Sequence, residues 1–232
     1  MTGISGGNSE HHARTEHGCT EPARAESASV EPTRTGRAYS EAESRVLDAV
    51  AACAARWGID KTTVDDVARE AGVSRATVYR LFPGGKSTMV DMTTDREVTA
   101  LLLGLSRCTE EAVDLVDALV TLLATGSSML AEQPAVTYMR IHEPTTLKRF
   151  FSFGHFDRIL ELSARVLSPR LERFVEPATA QDLVRWLTRL AVSYFLIPDP
   201  SRDLTDPAVA RSLVESHILP GLHRVPAEAG AA

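Results

Sequence analysis

From Ala38 onward, apolar side chains recur at three- and four-residue steps, punctuated by Pro and Gly and with almost no strand-like alternation. That pattern predicts an all-α fold. The first helix is expected from Ser40, an N-cap with Glu43 three residues on as its capping box, to Trp57, where Gly58 ends it. Along it Val46, Leu47, Val50, Ala51, Ala54 and Trp57 make one apolar stripe. Two short helices follow within residues 60–82, and a longer one holding Met89, Val90 and Met92 should run from Lys86 towards Leu105. Further helices are expected over 114–132, 135–142, 145–167, 178–197 and 206–222, with Pro134, Pro144 and Pro169 as stops and a break near Gly154. The expected total is about nine helices.

Residues 1–37 offer only Met1, Ile4 and Val30 as sizeable apolar side chains, too few to offset the entropy of ordering. They read as a disordered tail, and residues 224–232 as a flexible one. His11, His12 and His17 lack a rigid frame for a metal, whereas Arg34 and Arg37 are placed as a basic arm that tracks a minor groove.

The run from Thr63 to Phe82 reads as two short helices and a tight turn. Thr63 is an N-cap with Asp65 and Asp66 in the first turn, where carboxylates suit the positive helix end. Val64, Val67, Ala68 and Ala71 face inward, Gly72 permits a positive φ, Val73 plugs the angle and Ser74 caps the second helix. Val78 and Phe82, four apart, bury one face of that helix, leaving Arg75, Ala76, Thr77, Tyr79 and Arg80 on the other. Guanidinium forks suit guanine edges and phosphates, methyl groups suit thymine, and hydroxyls suit phosphate oxygens.

Charge makes any such contact local. The chain carries −6 overall, which argues against a surface that binds nucleic acid or anionic membrane everywhere, and residues 37–86 alone are not acidic, at +1 against −2 before and −5 after. Cys19, Cys53 and Cys108 are widely spaced and write neither a disulfide framework nor a zinc site; no metal and no cofactor is expected. No apolar run reaches the length of a membrane span and no signal pattern opens the chain, so a cytoplasmic protein with no membrane partner is expected. Nor does the sequence hold a nucleophile elbow, phosphate loop or carboxylate pair, so an enzyme is not expected.

Thr63, Asp66-Val67-Ala68, Ala71-Gly72-Val73-Ser74, Thr77, Tyr79, Phe82 and Lys86, with Gly58 before them, resemble the signature of the TetR family. The resemblance is dense over residues 40–90; the rest of the chain matches only in length and helical character. It implies a helix-turn-helix DNA-binding domain over 38–86 and a ligand-binding and dimerisation domain over 87–223. Carried onto this sequence, Arg75, Ala76, Thr77 and Arg80 face bases or nearby phosphates, Tyr79 packs on the backbone and Lys86 binds phosphate at a helix start, with Thr63 and Ser74 as the helix caps. The loop Phe82-Pro83-Gly84-Gly85-Lys86 is a residue longer than the shortest family version, which shifts Lys86.

The same resemblance implies a homodimer on a palindromic operator of double-stranded DNA, since two recognition helices must meet successive major grooves about 34 Å apart. Leu183, Leu187 and Tyr194, with Val209 and Leu213, make the helical stripes expected at its interface; intramolecular core is the other reading of them. Met129, Met139, His142, Phe150, Phe151, Phe153, His155, Phe156 and Trp186 are the expected liners of a pocket for a hydrophobic or amphipathic small-molecule effector that releases a repressor from DNA. His142, Glu143 and Arg140 are candidates to orient a polar ligand head; an ion pair at a helix end is the other reading of them. A DNA-binding module that answers to a protein partner, or to no ligand, is the alternative.

Overall fold

A computed structural model describes residues 39–151 and 155–222, and every regular element among them is helical. In chain order these are α1 (Glu41–Trp57), α2 (Val64–Glu70), α3 (Arg75–Leu81), α4 (Gly85–Cys108), α5 (Leu115–Ala131), α6 (Pro134–His142), α7 (Pro144–Phe150), α8 (His155–Leu171), α9 (Pro177–Leu196) and α10 (Pro207–Leu213). The last passes without a break through a π turn (Val214–Ile218) into α11 (Leu219–Leu222). The two tails lie outside the described residues, as do the three histidines, Arg34, Arg37 and Cys19 within the first of them, and Phe153 and Gly154 in the chain's interior.

The helix starts follow from their caps. Ser40 Oγ accepts from Glu43 N (3.2 Å) while the Glu43 carboxylate accepts from Ser40 N (2.7 Å), closing the capping box. Asp114 and Asp206 cap α5 and α10 by accepting from Asp117 N and Ala208 N, 2.8 Å each. Pro stands at the first position of α6, α7, α9 and α10, where a missing N–H costs nothing.

One helix overruns its expected end. The helix expected to stop before Pro169 continues to Leu171. Pro169 removes one intrahelical bond, but the final turn is held from outside. Arg170 donates to Ser106 Oγ and Glu110 Oε1, both at 2.7 Å, and Arg173 donates to the carbonyls of Thr109, Glu110 and Ala112. The break expected near Gly154 falls between α7 and α8, giving ten helices among the described residues when α10, the π turn and α11 count as one.

Two main cores result. Val46, Leu47, Val50 and Cys53 of α1 pack with Val67, Ala68, Val78, Phe82 and the α4 residue Met89 in a head core. Trp57, at the end of the same helix, is 40% exposed and lies beneath the Arg56 guanidinium. The body core gathers Leu102 and Leu105 of α4, Leu119 and Leu123 of α5, Leu167 and Leu171 of α8, and Val184 and Leu187 of α9. A single helix, α4, contributes to both. Arg96 ties it to α1, pairing with the Asp48 carboxylate (2.7 Å) and donating to Ser44 O (3.3 Å).

Candidate nucleic-acid interface and apolar cavity

Local chemistry builds the head's exposed face. Thr63 Oγ1 donates to Asp66 Oδ2 (2.6 Å), Thr63 N donates to the same oxygen (3.1 Å), and Asp66 N donates back to Thr63 Oγ1 (3.2 Å). Those bonds to Thr63 hold the Asp66 carboxyl below the usual carboxylate range, with Arg69 adding to the effect. Gly72 makes the turn at φ 66°, and Ser74 Oγ accepts from Thr77 N at 3.1 Å to start α3. With Val78 and Phe82 fully buried, α3 turns Arg75, Ala76, Tyr79 and Arg80 to the exterior; Thr77 is half-buried beside its cap, its hydroxyl 2.9 Å from Ser74 Oγ.

Arg75 is not idle on that face. Its Nη1 donates to both oxygens of Asp65 (3.1 and 3.0 Å), and its guanidinium stands 5.6 Å from the Tyr79 ring centre. Lys86 lies in the first turn of α4, which begins at Gly85 with φ 61°, and its Nζ donates to Asp60 O at 3.1 Å.

Asp60 joins the head to the body. Its N–H donates to Glu143 Oε1 (3.2 Å) and its carboxylate accepts from Thr146 Oγ1 (2.6 Å), while Ile59 N donates to Glu143 Oε2 (2.9 Å). The α1–α2 loop is thus held by the α6–α7 junction. Gly58 makes this approach possible: a Cβ there would fall 2.1 Å from Glu143 Oε1. Glu143 and Thr146 therefore act in the structure as head-to-body ties, a role that nothing in their local sequence signals.

Behind that junction lies a cavity of about 440 Å³ between α1, α4, α5, α6, α7, α8 and α9. Of the expected pocket residues, Met139, Phe150 and Phe151 border it; Met129, His142, His155, Phe156 and Trp186 do not, and Phe153 is outside the described residues. His142 is exposed, Trp186 is 44% exposed on α9, and His155 pairs with Asp91 at 3.3 Å. Arg140 likewise stays out of the lining, its guanidinium over the Phe195 ring. Much of the wall is small: Ala51, Ala54 and Ala55 of α1, Gly126 of α5, Ala135 of α6 and Ala191 of α9. The Ala-rich run 49–55 is the sequence signal that could have pointed there.

Leu183, Leu187 and Leu213 are buried in the chain's own core, and Leu187 borders the cavity. Tyr194 and Val209 are half-buried. Among the described residues no His, Cys, Asp and Glu cluster could hold a metal, and no single helix is long and apolar enough to cross a membrane.

A capped two-helix turn with a cationic outer face, set on an all-helical body, defines a helix-turn-helix protein. Residues 46–91 match the model of the TetR family of bacterial regulatory proteins. An uncharacterized HTH-type transcriptional regulator of Mycobacterium bovis is 44% identical over 57 residues, which are 25% of this chain and 30% of that one. One from Mycobacterium tuberculosis is 48% identical over 50 residues, 22% and 26% of the two chains. These matches span less than a third of the relatives' length. The fold extends further: the TetR-family repressor AlkX from a Dietzia strain, implicated in biodegradation of n-alkanes, superposes with a TM-score of 0.61 at 21% identity, covering 81% of this chain and 98% of its own. The fatty acid degradation regulator FadR from Bacillus halodurans gives 0.54 at 17% identity, covering 78% and 98%.

Proposed function

We propose that this chain is a repressor that binds a palindromic operator as a homodimer and is released when a small apolar effector fills the cavity. α3 enters the major groove by its N-terminal residues, with Arg75, Ala76, Thr77 and Arg80 towards base edges and Tyr79 on the sugar-phosphate backbone. Lys86, at the start of α4, exchanges its bond to Asp60 for a phosphate. The head is the unit 38–86 and the body the unit 87–223.

One observation carries the switch: the head's own helix α1 supplies part of the cavity wall, and the loop after it hangs from Glu143 and Thr146. A molecule that binds one position of α1 better than another shifts the setting of the two heads in a dimer. Tyr194 and Val209, with the exposed Trp186, remain for a second copy to cover, because Leu183, Leu187 and Leu213 already serve the chain's own core.

The test is a salt-dependent mobility shift with DNA from upstream of the chain's own gene. Arg75→Ala and Tyr79→Ala should each weaken binding by more than about tenfold, with the oligomer intact by light scattering. Unchanged affinity in both would mean that α3 does not read the DNA.

A further inference from the structure

The cavity's lining restricts the charge of its occupant. Glu97 is the one formally charged side chain that borders it, and no Lys, Arg or His among the described residues does. Its other polar groups are largely turned away. Ser163 Oγ donates to Ile159 O (2.7 Å) and Thr188 Oγ1 to Val184 O (2.8 Å), each within its own helix, and Thr146 Oγ1 is taken by Asp60. Two arginines next in sequence to lining residues are paired as well, and Arg140, beside Met139, lies over the Phe195 ring. Arg96 holds Asp48 at 2.7 Å and Glu97 at 2.9 Å, so that this triad keeps a net negative charge, and Arg158 pairs with Asp95.

Size sets the second limit. An apolar cavity of about 150 Å³ takes one benzene, so about 440 Å³ has room for on the order of 15 carbon atoms. We propose that the cavity takes one uncharged aliphatic molecule of that size and rejects the same chain when it ends in a carboxylate. A carboxylate would lose its water and find no cation in exchange, with Glu97 repelling it besides. This names the effector's class and rests on the reading of the cavity as the effector site.

Calorimetry on the full chain near pH 7.5, with 1-dodecanol, dodecanoate and dodecylamine below their micelle concentrations, tests it. Dodecanol should bind once per chain and dodecanoate at least about tenfold more weakly. Glu97→Gln should narrow that gap by improving dodecanoate more than dodecanol. Ala191→Trp on α9 and Ala55→Leu on α1 should each weaken dodecanol with helical circular dichroism retained. Dodecanoate binding as well as dodecanol, dodecylamine binding better than either, or no binding by any of the three overturns the assignment. Dodecanol that binds as described but leaves the operator complex intact supports the assignment and overturns the proposed release.

Discussion

Replacing Gly58 and Glu143 singly and together measures the tie between head and body. Glu143→Ala leaves two backbone N–H groups without their acceptor. The partly buried bond from Ile59 N (2.9 Å) goes to a charged group and is worth about 1.5–3 kcal/mol. The exposed bond from Asp60 N (3.2 Å) adds roughly 0.5 kcal/mol, so the single variant should lose about 2–3 kcal/mol. Gly58 sits at φ 83°, ψ 167°, a region almost confined to glycine, where alanine costs about 1–3 kcal/mol in backbone strain. The new Cβ also evicts the Glu143 carboxylate, 2.1 Å from its ideal position, and so removes the same two bonds. Gly58→Ala should therefore lose about 3–6 kcal/mol, and the double variant little more than Gly58→Ala alone. Urea unfolding followed by circular dichroism reads all four corners of the cycle. Effects that add to within about 0.5 kcal/mol would show that Glu143 does not hold the loop.

Three further outcomes are expected. Asp65→Asn should free Arg75 from its ion pair and strengthen operator binding by up to about fivefold, the scale of a surface pair; weaker binding in a mobility shift would mean that Asp65 positions Arg75 for the groove. Because Asp66 is held below the usual carboxylate range, its contribution to stability is complete above the unfolded value near 3.9 and is lost as pH falls through the lower folded value. Wild-type urea midpoints should drop between about pH 5 and 2.5 more steeply than those of Asp66→Asn, with Asp199 and Asp203, lowered by their own Ser201 and Thr205 bonds, keeping some slope in both; identical slopes would remove Asp66 from the account. Burial pushes the Cys53 thiol up, so peptide mapping after iodoacetamide treatment of the native chain should leave Cys53 unlabelled until urea is added.

The head was legible because its information is local. Ser40, Thr63 and Ser74 each reach a backbone N–H three residues on, and the positive φ of Gly58 and Gly72 follows from what a turn demands. Pro169 shows the limit of such reasoning, since Arg170 and Arg173 anchor the turn it should have ended to α4 and the loop after it, some 60 residues away in sequence. The cavity was less legible for a different reason. Large residues such as Met129 and Trp186 are conspicuous in a sequence, but a cavity forms where small ones leave space, and Ala51, Ala55 and Ala191 are brought to one cavity only by tertiary packing. The stripe of Leu183 and Leu187 is equally ambiguous in sequence, because a helix that is apolar towards its own core and one that is apolar towards a second copy have the same period.

Asp60 is engaged by three parts of the chain at once: Glu143 at its N–H, Thr146 at its carboxylate and Lys86 at its carbonyl. The head is consequently a poor cassette. A chimera that joins residues 39–86 to the body of another regulator would carry the acceptors and donors of this loop without their counterparts, and would inherit a host side chain opposite Gly58 that was never shaped to it. If α3 reads DNA as proposed, transplanting its specificity is better done by exchanging the outer face of α3 alone, whose partners Asp65 and the Ser74 cap lie within the head.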